Sequence, residues 1–306
     1  MTNTRRVRRI WWRTTLAALI SVPIAVATVM VLRQDARSEQ GTPRAPAARN
    51  VLASFDLRPE AAVSLRLPQA LREISGFAMT ADGRLIAHGD ERGVVSELDV
   101  RTGAIVKSFS LGNPPVRADL EGIAVAGERL FLIAATGQLF ETREGGNGAA
   151  VQHNSIDTGF GAHCELEGMT YNPTDQTLII GCKEPKDRAR RAQITLFRWS
   201  IARRAPASPD RISVPSADVL RGLGAKRFSP SAIEREPRTG NYLIVAGPQS
   251  LIAEITPAGV FVAARALDGG THRQPEAIAF LGTDALLIGD EGGNRRGTLT
   301  RYPRVR

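Results

Sequence analysis

Residues 163–171 read HCELEGMTY, and 46 residues upstream of its first letter the stretch 117–124 reads RADLEGIA. A Leu-Glu-Gly phrase that returns at a fixed spacing marks a structural repeat, so periodicity is the first property to establish. Aligned on that phrase, the chain holds five copies: EISGFAM at 73–79, DLEGIAV at 119–125, ELEGMTY at 165–171, SPSAIER at 229–235 and QPEAIAF at 274–280. Their starts lie 46, 46, 64 and 45 residues apart. Each copy runs through a turn into a second apolar segment, as in GRLIAHGDE at 83–91 and QTLIIGCKE at 176–184. A third follows (VVSELDV at 94–100, ITLFRWS at 194–200), and in most copies a fourth (IVKSFSL at 105–111, VFVAARAL at 260–267).

Short apolar segments separated by Gly, Pro, Asn and Asp turns predict strands. Four strands in 40–45 residues is the size of one propeller blade. The expected fold is therefore all-β, a five-bladed β-propeller over 51–306. The fifth copy lacks a fourth strand, and Ala62–Leu67 (AVSLRL), ahead of the first copy, can supply it and remove an exposed sheet edge. A six-bladed ring drawing on Asn50–Leu57 (NVLASFDL) is the alternative. The long third interval is assigned to surface loops at 186–193 (KDRARRAQ) and 202–210 (ARRAPASPD).

The net charge of +9 belongs mostly to the N-terminal region. Residues 1–50 hold nine arginines against Asp35 and Glu39, which leaves 31 basic and 29 acidic side chains for the other 256 residues. A near-neutral globular part gives no basic stripe for nucleic acid. Five arginines within residues 1–13 precede the uncharged run 14–32, about the length of a membrane-spanning helix, with Trp11 and Trp12 at its edge. The expectation is a cytoplasmic basic segment at 1–13, a transmembrane signal anchor at 14–32 in the bacterial inner membrane, and a flexible linker at 33–50. The propeller then lies in the periplasm or outside. A signal peptide cleaved after Ala25-Val26-Ala27 is the competing reading. Export permits disulfides. A hairpin about Asn172-Pro173-Thr174-Asp175 brings Cys164 roughly opposite Cys182, which favours a bridge between them over two buried thiols.

The first strand of a propeller blade is innermost, so equivalent positions on it form a ring about the channel. The residue before the Gly or Ala of each phrase is Ser75, Glu121, Glu167, Ser231 and Glu276. Three carboxylates on one axis repel unless protonated, solvated or neutralised. An all-oxygen donor set suits Ca²⁺ or Mg²⁺. The plainer reading has each Glu capping backbone amides or pairing with arginine. Four residues earlier stand Arg117, His163, Arg227 and His272, types that bind carboxylate or phosphate, or that merely balance the Glu ring. The nucleophile elbow G-x-S-x-G and the zinc motif H-E-x-x-H do not occur. EGGNG at 144–148 and EGGNRRG at 291–297 read as loops, since neither opens a helix after a strand.

The recurring Ile74-Ser75-Gly76, Leu120-Glu121-Gly122, Leu166-Glu167-Gly168 and Pro275-Glu276-Ala277 make residues 51–306 resemble the SdiA-regulated propellers of bacterial envelopes. Asp90-Glu91, Lys183-Glu184 and Asp290-Glu291 add to that resemblance by closing second strands. The phytase-like esterase propellers are a more distant likeness. Ala232, Ala277 and Ala135-Thr136 depart from the family pattern. The resemblance implies an envelope-anchored, divalent-cation-dependent binding or sensing module with a small-molecule or protein ligand. A metal-assisted phosphoesterase or esterase, and a cofactor-free interaction scaffold, are the alternatives.

Overall fold

The computed structural model describes residues 50–305, so the expectations for 1–13 and 14–32, and all of 33–50 but its last residue, lie outside the described residues. Five antiparallel sheets follow one another along the chain, and each copy of the repeat is one sheet. The innermost strands are Ile74–Met79, Leu120–Ala126, Cys164–Asn172, Ala232–Arg235 and Pro275–Leu281, for blades I to V. Each packs on the next around a closed ring, with the strand of blade V returning to that of blade I.

Val63–Arg66 pairs antiparallel with Thr298–Pro303 and completes blade V. Segment 50–57 builds no sixth blade. It makes a short turn at Leu52–Ser54 and a bridge from Phe55 to Arg304. Leu52 and Phe55 are buried in the apolar layer between blades IV and V. The buried Glu254 carboxylate accepts hydrogen bonds from the Val51 and Leu52 amides at 3.1 and 2.7 Å, which satisfies both.

The core is divided into five apolar layers, one between each pair of neighbouring blades. A blade is apolar on both faces, so it becomes stable only between its neighbours. Close approach near the axis explains the glycine of the phrase. A Cβ on Gly122 would come within 2.7 Å of the Met169 amide nitrogen, and Gly168, at φ +73°, has room only for hydrogen against Ala232 Cα.

Blade III corrects one expectation. Residues 202–210 are not all loop, because Ala205–Pro215 is the outer strand of that blade. Pro206 and Pro209 disguise it, yet an outer edge tolerates proline, whose missing N–H has no partner to lose. The extra length lies further on, where a short helix at Ser216–Leu220 and the segment 221–231 lead to blade IV. Blade II carries a second irregularity. Its loop at Ala150–Val151 adds a parallel fifth strand to the outer edge of blade I.

Candidate functional site

The ring positions open at one end of the inner strands. Glu121, Glu167 and Glu276 line a cavity of about 80 Å³ together with Ser75, Glu73, Asp90, Glu291 and Lys183. Glu167 is 1% exposed and Glu276 7%. The Ser75 hydroxyl donates to Glu121 Oε2 at 2.9 Å. Ser231 is spent on architecture: its hydroxyl donates to the Pro275 carbonyl at 2.6 Å and accepts from the Gly247 amide at 2.9 Å, tying blade IV to blade V.

Lys183, at the end of the second strand of blade III, places its ammonium 2.5 Å from Glu167 Oε2. On its other side Glu167 meets the Glu276 carboxyl, the two acids lying close enough to share a proton. Burial first, and then Glu276 and Glu121, raise the Glu167 carboxyl far above the usual range. Burial also raises Glu276. Glu121 is pushed up to about 8, by burial above all, with Asp119 and Glu276 adding to it against the Ser75 hydrogen bond and Lys183. Around the rim, Asp90 and Glu291 are raised by burial and by their acidic neighbours. The mouth is thus a buried excess of acid that holds protons and one internal ammonium. Among the described residues no arginine pairs with the three glutamates, so the expected arginine balance is made by a lysine instead.

Lys183 was within reach of the sequence. It aligns with Asp90 and Asp290 at the end of a second strand, and this reversal of sign inside a repeat is the signal. Arg117, His163, Arg227 and His272, by contrast, are absent from the lining of that cavity. Arg117 and His163 are exposed. Arg227 is exposed too and lies 3.7 Å from Glu184. His272 is fully buried, its Nδ1–H donating to Asp290 Oδ2 at 2.7 Å and its Nε2 accepting from the Tyr302 hydroxyl at 2.7 Å. With both ring nitrogens engaged, it has nothing to offer an anion at the mouth. Cys164 and Cys182 form a disulfide, with Cα atoms 5.6 Å apart, across the inner and second strands of blade III. Leu166, not Cys164, is the register partner of Cys182, because a hairpin that turns at Asn172–Thr177 sets Cys164 opposite Pro185.

Beside the mouth, a groove of about 480 Å³ runs along blade I and shares Glu73 and Asp90 with it. Arg72 and Arg92 also line this groove. Among the described residues, no three His, Cys, Asp or Glu side chains stand as a ready-made set of metal ligands. The mouth offers an all-oxygen set of carboxyls, the donor chemistry that hard cations take.

Fold and site together define a five-bladed β-propeller with an acidic axial mouth. No family model and no curated protein matches the chain. Among solved structures it is similar to a glutaminyl cyclase of Myxococcus xanthus, at 16% identity over 80% of this chain and 97% of that one, with a TM-score of 0.55. It is also similar to the PQQ-bound aldose sugar dehydrogenase of Streptomyces coelicolor, at 14% identity over 80% and 99%, with a TM-score of 0.51. Likeness at such identity establishes the propeller architecture alone.

Proposed function

We propose that this propeller is a divalent-cation-dependent binding or sensing module of the envelope, held to the inner membrane by residues 14–32 and working outside the cytoplasm. One observation carries the reading: Glu167 is buried at the axis beside Glu121 and Glu276, and among the described residues Lys183 is the one cation that pairs with this acid cluster. A buried, under-neutralised acid cluster is costly. Ca²⁺ or Mg²⁺ would relieve the mutual repulsion of the three glutamates, release their protons and free the Lys183 ammonium. The groove on blade I would then receive the ligand next to the ion. The Cys164–Cys182 disulfide supports an oxidising compartment, and the resemblance to the SdiA-regulated propellers supports the envelope setting.

A second reading, a metal-assisted ester or phosphoester hydrolase, draws on Arg72 and Arg92 in the groove, cations suited to an anionic substrate beside the ion. Calorimetric titration of the full chain with CaCl₂ and MgCl₂ tests both. The expected result is saturable binding with proton release, lost in Glu121→Gln/Glu167→Gln/Glu276→Gln. Turnover of a generic phosphoester by the Ca²⁺-loaded protein would shift the reading to the hydrolase. Absence of binding in the wild type would sink the cation reading.

A further inference from the structure

At the far end of the inner strands, the turns of blades III and IV enclose a cleft of about 500 Å³. Glu167 and Asn172 lie five residues, or about 17 Å, apart along one strand, so this cleft is separate from the acidic mouth. Its polar wall includes Thr174, Asp175, Arg198, Arg211, Arg235 and Tyr242, and its apolar wall Pro209, Ile212, Pro257 and Ala258.

Two polar groups in this wall are buried without a partner, the Tyr242 hydroxyl and Arg235 Nε. Tyr242 is 0% exposed, its ring set in the apolar layer between blades III and IV. Its hydroxyl lies within electrostatic reach of Arg235, Asp175 and Arg198. A buried hydroxyl normally finds an acceptor, and one left at the wall of a cleft points to an acceptor brought from outside.

The charges sort unevenly. Arg198 is held by Asp175 at 2.5 Å and by the Pro209 carbonyl at 2.6 Å. Arg211 grips Asp210 through two hydrogen bonds, at 2.9 and 2.7 Å. Arg235 has only a long contact, 3.4 Å, to the Thr174 hydroxyl, and no carboxylate pairs with it among the described residues. Its guanidinium lies over Gly240, where a Cβ would come within 2.9 Å of Nη2. The cleft therefore carries a planar guanidinium that no carboxylate grips, its charge felt by the Glu234 carboxyl, next to an orphan hydroxyl donor and an apolar wall.

We propose that this cleft binds a small organic monocarboxylate, its carboxylate spanning Arg235 and the Tyr242 hydroxyl and its apolar body lying on Pro209, Ile212, Pro257 and Ala258. The volume suits a small-molecule ligand. A single ungripped guanidinium matches a monoanion, whereas a phosphate dianion would leave one negative charge uncompensated in a half-buried site.

Calorimetric titration of the full chain with sodium benzoate, with inorganic phosphate as comparator, tests the proposal. Benzoate should bind saturably and more tightly than phosphate. Affinity should fall by about tenfold or more in Arg235→Gln and several-fold in Tyr242→Phe, as expected on losing a charge-assisted and a neutral hydrogen bond respectively. Tyr242→Phe should also melt no lower than the wild type without ligand, since it removes an unsatisfied hydroxyl. A site variant that bound less merely through unfolding would melt lower. No saturable benzoate binding, equal affinity in all three proteins, or tighter binding of phosphate would each overturn the proposal. The response of the mouth to Ca²⁺ should be the same in both variants.

Discussion

The two ends of the inner strands handle charge in opposite ways. At the mouth, three glutamates from three blades share one desolvated space and one lysine, so like charges must be protonated to coexist. At the cleft between blades III and IV, each of two arginines has its own carboxylate, and a third guanidinium has none to grip it. Burial, more than the count of charged residues, separates them. The mouth stores protons that respond to pH, while the cleft stores a fixed charge that does not.

The largest expected effect breaks the mouth. Lys183→Met leaves the Glu167 carboxyl without its ammonium and should cost about 3 kcal/mol in urea unfolding at pH 8.5, the scale for breaking a buried pair. The loss should be much smaller at pH 5, where Glu121, pushed up to about 8, is protonated and leaves the ammonium less negative charge to balance. The wild type should show the same sense of pH dependence. Glu121 rises from 4.5 to about 8 on folding, so between those values the folded state binds more protons than the unfolded. Its contribution is thus fully present below pH 4.5 and is lost as pH climbs through about 8. The triple glutamine variant should flatten this slope, and cleft variants should not. An unchanged slope in the triple variant would refute the proton-storing mouth.

The disulfide braces blade III on the mouth side only. Replacing both Cys164 and Cys182 by serine should cost about 3 kcal/mol by the chain-entropy relation for a loop of this size. Benzoate affinity at the cleft should be unaffected, read by the same calorimetry.

Two glycines sharpen the contrast between packed axis and open rim. Gly168 and Gly240 both have positive φ, +73° and +76°, but an added Cβ meets the Ala232 backbone in the first case and the end of the Arg235 side chain in the second. Gly168→Ala should therefore cost about 3 kcal/mol and Gly240→Ala about 1 kcal/mol, both read by urea unfolding. Equal losses would mean that backbone strain, rather than the approach of blades, sets the cost. The smallest effect reverses sign: Tyr242→Phe should stabilise the ligand-free protein by about 1 kcal/mol, as an orphan hydroxyl is removed.

What the sequence made legible follows the repeat. The five phrases locate the inner strands, the closing strand at Val63–Arg66 and the convergence of Glu121, Glu167 and Glu276, because each occupies the same place in every blade. His272 misled for the converse reason. It precedes its phrase in a connection that no other blade copies, where its amide donates to the Asp268 carbonyl at 2.7 Å and the turn carries the ring inward to Asp290. Ala205–Pro215 was masked by edge prolines. The arginine cleft had no sequence signal at all, since Arg235 ends an inner strand, Tyr242 opens a second strand and Arg198 lies on a third, a combination the other blades do not repeat.

The closing of blade V has a consequence for the timing of folding. Ser64 and Thr300 meet at 2.9 Å across 236 residues of chain. During synthesis, residues 63–66 emerge early and must wait, unpaired, until 298–303 have been made. Contacts of such long range form slowly, because the loop must be closed before any of its pairing energy is gained. A growing chain of this design stays an open row of blades until almost all of it exists. The ring locks only when the last strand of the chain has been made.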